Sequence, residues 1–206
     1  MVEQQFKLCC HIVATVGLIS ILTVSALTPE QRKLFLDYHN DVRQKVSPPA
    51  SNMQHMIYNE SLEVLAQKWV DKCEFRHPPR SDEEYRPYGQ NIGASGNPRE
   101  QGSIEAILKK WHHEVQNYNY THNSCNGVCG HYTQMVWHNS YQLGCAMAKC
   151  SGMLQGMNAF FIACQYYPRG NWKGQRPYST ADVTPTTVKL PAKRYIRNSS
   201  TGMAND

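Results

Sequence analysis

Any chemistry in this chain has to be sought first around one carboxylate and a few histidines. Glu114 lies within a stretch in which Ile104, Ile107, Leu108, Trp111, Val115 and Tyr118 share a helical face. At roughly 100° per residue it falls about 20° from Ile107, at the edge of the apolar arc rather than opposite it. A carboxylate so placed needs a partner. His77 lies just past a second helical stretch, close behind Cys73, so a disulfide at Cys73 would hold that imidazole in place. His131 opens a short helical segment running to Trp137. Glu114 beside either histidine could act as general base on a metal-bound water, the logic of a hydrolase. His112 and His113 point elsewhere and read as solvated surface histidines. No serine is marked as a nucleophile by its surroundings. The chain has no G-x-S-x-G elbow, H-E-x-x-H pair, phosphate-cradling glycine loop or dinucleotide fingerprint. Trp137, Trp172 and the Tyr166-Tyr167 pair read as core.

The elements that must position these residues follow from periodicity. Thr28-Pro29-Glu30-Gln31 supplies an N-cap, a proline at N1 and a glutamine at N3, and Leu34, Phe35, Tyr38 and Val42 then repeat at helical spacing until Pro48-Pro49. Asn59 caps a second helix whose stripe is Leu62, Leu65, Ala66, Trp69, Val70 and Cys73. Residues 78–102, rich in Pro, Gly, Ser and charge, read as a long loop containing Gly89-Gln90-Asn91-Ile92-Gly93. The third helix starts near Ser103, a plausible N-cap, and residues 118–130 form a polar loop. Gln142–Cys150 and Asn158–Tyr166 read as strands joined across a connection bearing Gly152 and Gly156. If Cys145 opposes Cys164, then Cys150 opposes Ala159.

Composition sets the context. The 206 residues suffice for one well-cored domain, with ordinary aromatic and charged fractions of 10% and 18%. Leu8 to Ala26 is apolar, follows Lys7 and ends in Val24-Ser25-Ala26, the pattern of a cleaved signal peptide with a mature start near Leu27. A transmembrane anchor is the rival reading; no basic stop-transfer flank follows Ala26, so no anchor is expected. Without Cys9 and Cys10 there remain Cys73, Cys125, Cys129, Cys145, Cys150 and Cys164, an even set that in a secretory context implies disulfides. The absence of paired C-x-x-C spacing argues against thiolate zinc. Asn59, Asn119 and Asn198 head glycosylation sequons. From Lys173 onward periodicity is lost, and this tail carries +4 of the chain's net +5. It reads either as an arm for anionic surfaces such as sulphated glycans or as a solvated terminus. No nucleic-acid partner is expected.

Two stretches carry a resemblance. Gly130-His131-Tyr132-Thr133-Gln134-Met135-Val136-Trp137-His138-Asn139-Ser140 and Cys164-Gln165-Tyr166-Tyr167-Pro168-Arg169-Gly170-Asn171-Trp172 resemble the two signature motifs of the CAP superfamily. That superfamily groups cysteine-rich secretory proteins, venom allergens and plant pathogenesis-related class 1 proteins. The resemblance spans roughly Thr28 to Tyr178 and implies an α+β fold, a three-layer α-β-α sandwich around a small antiparallel sheet. The chain then divides into a signal peptide (1–26), a CAP domain (27–178) and a basic tail (179–206). The resemblance also implies the pairs Cys73–Cys150, Cys125–Cys129 and Cys145–Cys164, the arrangement that local spacing favours. Carried over residue by residue, the family's cavity of two histidines and two glutamates becomes His77, Gln90, Glu114 and His131. Gln90 departs from the family, which has glutamate there, and so removes one negative charge. His77 and His131 are then candidate ligands for a weakly held divalent ion such as zinc, and no cofactor is required. The competing reading is a hydrogen-bonded brace. The family's sterol-binding loop corresponds to residues 118–130, with Tyr118 and Tyr120 as apolar anchors.

Three functions follow as expectations. The first is a secreted, non-enzymatic protein binding a sterol or fatty acid, or a cell-surface receptor. The alternatives are a metal-assisted protease or esterase and a structural or receptor-binding module.

Overall fold

The computed structural model describes residues 27–181. The expected signal peptide, Asn198 and the tail beyond Ala181 lie outside the described residues. In chain order the elements are α1 (Pro29–Gln44), β1 (Ile57–Tyr58), α2 (Glu60–Val70), β2 (Gly89–Ser95), α3 (Glu100–His113), a 3-10 turn (Glu114–Asn117), β3 (Tyr118–Asn119), β4 (Ser124–Cys125), α4 (Gly130–Met135), β5 (Gln142–Leu154) and β6 (Met157–Tyr167). The main sheet has the order β1-β5-β6-β2. Its long ladders are antiparallel, and β1 adds a two-residue parallel pairing to β5 at one edge.

The sheet's alternation splits the core in two. Cys145, Met147, Phe160, Ile162, Cys164 and Tyr166 face α1, α3 and α4, where Phe35, Val42, Ile104, Leu108, Trp111 and Met135 meet them. The intervening Ala146, Cys150, Phe161 and Ala163 face α2 through Leu65, Ala66, Trp69 and Val70. Small residues on that second face let α2 lie close. At Gly144 an added Cβ would stand 2.3 Å from the Glu63 backbone nitrogen and 2.5 Å from the Leu62 carbonyl carbon.

The first two helices start where the caps place them. Thr28 and Gln31 form the reciprocal capping box, and Asn59 Oδ1 accepts from the Ser61 and Leu62 amides. Cys150 opposes Ala159 as expected. All three disulfides have the expected pairing.

Elsewhere the structure corrects the sequence reading. The stretch 78–102 contains β2, an edge strand that borrows its ladder from β6; its composition signals a loop because Gly89 and Gly93 leave room for close packing, where a Cβ would stand 2.2 Å from Gln134 Oε1 and 2.8 Å from Ile107. Helix α3 begins a turn before Ser103, whose buried hydroxyl instead donates to the Asn97 carbonyl. The helix also ends before Val115, which is exposed. The 118–130 loop folds back as the β3–β4 hairpin. Strands β5 and β6 run on past Cys150 and Ala159, through a bulge, to a two-residue turn at Gln155-Gly156, both at positive φ. Trp137 and Tyr166 are buried, whereas Trp172 and Tyr167 are exposed. His112 is half-buried between the rings of Tyr38 and Tyr132 rather than solvated, and its pKa falls mainly through desolvation.

Arg43 was not identified in the sequence as a core residue. Its guanidinium is 2% exposed and donates to the carbonyls of Gln54, Met135, Trp137 and His138, with no carboxylate among them. Burial lowers its pKa to about 10. It binds α1 to the C-terminal end of α4 through orphan helix carbonyls.

Candidate functional site

The four expected site residues come together as two pairs. Glu114, at the end of α3, is the carboxylate whose partner the helix geometry demands, and its partner is the start of α4. Its Oε2 accepts from the amides of His131 (2.9 Å) and Tyr132 (3.2 Å), while its Oε1 accepts from His131 Nδ1 (2.6 Å). One side chain thus satisfies two orphan donors of a helix N-terminus and fixes the imidazole's tautomer. The His131 ring stacks on Trp111, 9° from parallel with centroids 5.8 Å apart. Trp111 is itself held by its indole N–H donating to the Ile92 carbonyl.

The second pair is His77 and Gln90. His77 is exposed, as befits a residue beyond α2, and its Nδ1 donates to Gln90 Oε1 at 2.9 Å. Gln90 sits on β2 directly opposite Gln165 of β6. Both imidazoles thereby spend Nδ1 on an oxygen acceptor, the outer-shell pattern of a metal-binding histidine. The donor set stops there. Among the described residues no group of three or more His, Cys, Asp or Glu side chains converges on one point. A catalytic zinc takes three protein ligands plus water, so the residues present do not fit a resident catalytic metal.

A buried polar chain behind His131 is absent from the sequence reading. Asn91 Nδ2 donates to the His131 carbonyl and to the Tyr166 hydroxyl, both at 3.0 Å. Tyr166 donates to His39 Nε2 (2.8 Å), and His39 Nδ1 donates to the Phe35 carbonyl (2.7 Å). Complete desolvation lowers the His39 pKa to about 4, with Arg43 adding a repulsive push, and raises that of Tyr166. The only signal in the sequence was Asn91 within the glycine-flanked stretch; His39 lies on the inner face of α1, where an apolar residue is the default expectation.

The two signature stretches mate with each other. Gln134 Nε2 donates to Ser140 Oγ, and Gln134 Oε1 accepts from the Gly170 amide. Ser140 Oγ donates to the Pro168 carbonyl at 2.7 Å. Asn171 accepts from Thr133 Oγ1 and donates to the Gly130 carbonyl, both at 2.8 Å. Gly170 lies flat on Trp137, where a Cβ would come within 2.5 Å of the indole.

Beside this joint opens a groove of about 520 Å³, walled by the β3–β4 hairpin, the start of α4 and residues 171–177. Tyr118, Val128, Trp137, Trp172 and Pro177 line it. Val128 and Trp172 are 60% and 49% exposed. Tyr118 donates its hydroxyl to Asn123 Oδ1 within the hairpin and packs its ring near that of Tyr132, while Tyr120 stacks on Tyr178 and donates to that residue's carbonyl, so both rings are pinned. The Cys125–Cys129 disulfide ties the base of the hairpin, at the end of β4, to the residue that precedes α4.

Comparison with known proteins places this architecture. Residues 36–166 match the model of the CAP, or cysteine-rich secretory protein, family. The chain is 40% identical over 158 residues to peptidase inhibitor 15-A of Danio rerio, covering 69% of this chain and 59% of that protein. It is 36% identical over 154 residues to GLIPR1-like protein 1 of Mus musculus, covering 72% of this chain and 64% of the relative. It therefore spans less than two thirds of the length of either relative. Among solved structures, NaASP2 with Zn2+ superposes with a TM-score of 0.65 at 27% identity, covering 76% of this chain and 88% of that one.

Proposed function

Since the chain belongs to the cysteine-rich secretory protein family, we propose that it acts outside the cell as a non-enzymatic carrier of a small apolar ligand, a fatty acid or sterol, held in the groove beside the 118–130 hairpin. The observation that carries this reading is the exposure of Val128 and Trp172 on the rim of a groove otherwise walled by Tyr118, Trp137 and Pro177. Large apolar side chains left in water around a concavity mark a binding surface, and about 300–1,000 Å³ is the range for small-molecule sites. The disulfide and the pinned tyrosines make the hairpin stiff, which favours a slender acyl chain over a broad sterol. The six paired cysteines support an oxidising, extracellular setting.

The test is displacement of a fluorescent fatty acid, and separately of a fluorescent sterol, from secreted protein carrying Val128→Asp or Trp172→Ala. Both substitutions are expected to weaken fatty-acid binding at least fivefold without changing thermal stability. Undiminished binding of both ligands in both variants removes the groove from consideration. The metal reading has its own measurement: zinc calorimetry at neutral pH on wild type and His131→Ala. Only a wild-type signal lost in the variant would return a divalent ion to the site.

A further inference from the structure

A second cleft, of about 470 Å³, opens on the β2–β6 edge of the molecule and shares only Asn171 with the apolar groove. Its lining is basic. Arg80, Arg86, Arg169 and His77 border it, and no Asp or Glu among the described residues does. The arginines are poorly compensated: Arg86 has a loose surface contact with Glu83 at 3.7 Å, and Arg169 stacks over Trp172 and donates Nη1 to the Arg86 carbonyl.

The floor of the cleft supplies an independent observation. Gln165 is fully buried, and neither its amide nitrogen nor its amide oxygen has a partner among the described residues. Gln90, opposite it in register, spends Oε1 on His77 and leaves its buried Nε2 unpartnered. Arg169 Nε is likewise buried without a partner. Three unused N–H donors in one basic cleft are costly until an acceptor arrives. A cation is the wrong ligand for such a site, since guanidinium groups repel it and no carboxylate offsets its charge. An oxyanion is the right one. Amide and guanidinium donors form their strongest bonds to charged oxygens, and guanidinium matches a flat carboxylate or a sulfate edge.

We propose that this cleft binds the carboxylate or sulfate group of a small organic anion, gripped by Gln90 Nε2, Gln165 Nε2 and Arg169, with Arg80 and Arg86 drawing it in. The cleft is larger than an inorganic ion requires, and Tyr85 and Tyr88 are among the residues on its wall, leaving room for the ligand's body. Gln90 is the discriminating residue, because a carboxylate there would oppose the ligand's charge at contact distance.

The test titrates benzoate and phenyl sulfate into the full-length secreted protein at fixed ionic strength, with benzyl alcohol as the neutral control, following side-chain amide signals by NMR. We expect at least one of the two anions to saturate a single site, shifting the Gln90 and Gln165 amide signals, and benzyl alcohol to leave them unmoved. Which anion binds decides between the carboxylate and sulfate sources. Gln90→Glu and the exposed-site variant Arg80→Gln are each expected to weaken that binding, Gln90→Glu at least tenfold. The second variant keeps the test decisive should the first fail to fold. Equal binding of the neutral analogue, absence of binding by both anions, or anion binding that neither variant weakens overturns the proposal.

Discussion

Acid should loosen this fold through His39. In the folded protein the imidazole is fully buried, its Nδ1–H committed to the Phe35 carbonyl and its Nε2 accepting from Tyr166. Charging it would put a cation in the core near Arg43, which is why its pKa falls from 6.5 to about 4. In the unfolded chain it titrates normally. Below the unfolded value the unfolded state binds a proton that the native state refuses, so stability is intact above about pH 6.5 and drains away as pH falls toward 4. A shift of that size amounts to about 3 kcal/mol, a substantial share of the stability of a typical domain. The assay is chemical denaturation with the disulfides intact, at a series of pH values from 7.5 to about 4, on wild type and His39→Gln. The variant should be less stable than wild type at neutral pH, and the gap should close by about 3 kcal/mol as the pH falls. Parallel pH profiles for the two proteins would refute the argument, because the wild-type loss would then belong to other groups.

Three further outcomes follow from the geometry. Glu114→Ala removes the acceptor for three donors and should cost about 3 kcal/mol in chemical denaturation, while Glu114→Gln, which keeps an acceptor oxygen, should cost about 1 kcal/mol; equal costs would mean that the carboxylate is not capping α4. Gly144→Ala should cost about 3 kcal/mol, because backbone atoms of α2 block the new methyl group, whereas Gly96→Ala, with only Leu154 at 3.9 Å, should be neutral; thermal melts of both compare them directly. Removing Cys73–Cys150, which closes a 77-residue separation, should cost about 4 kcal/mol against about 2 for Cys125–Cys129, whose separation is 4. Denaturation of the two double Cys→Ala variants ranks them, and the reverse order would argue against the chain-entropy account.

What could be read in the sequence was what depends on local pattern. Capping residues placed the starts of α1 and α2, alternation placed the cores of β5 and β6, and the helical angle of Glu114 announced that it had a partner without saying which. The partner lay with the first signature stretch, and the resemblance brought those residues together. Elements defined by a neighbour escaped. Strand β2 carries glycines because Gln134 and Ile107 press against it, and nothing in residues 89–95 alone distinguishes that from a loop. His39, Asn91 and Arg43 are polar residues buried on satisfied networks, the class for which hydropathy gives the wrong sign. The basic cleft was invisible for a related reason: its lining residues are scattered from His77 to Asn171 and only strand register gathers them.

Arg43 sets a timetable for the molecule's birth. Its carbonyl partners at Met135, Trp137 and His138 lie 92 to 95 residues further along the chain. At the ribosome's pace of roughly 5–20 residues per second, that distance is a wait of roughly 5–20 s after Arg43 is made. Until those carbonyls arrive the guanidinium has only the nearby Gln54 carbonyl and water, and the face of α1 that surrounds it cannot close. Helix α1 is therefore among the first elements synthesised and among the last to dock, and its apolar side is the surface that a chaperone would meet on the nascent chain.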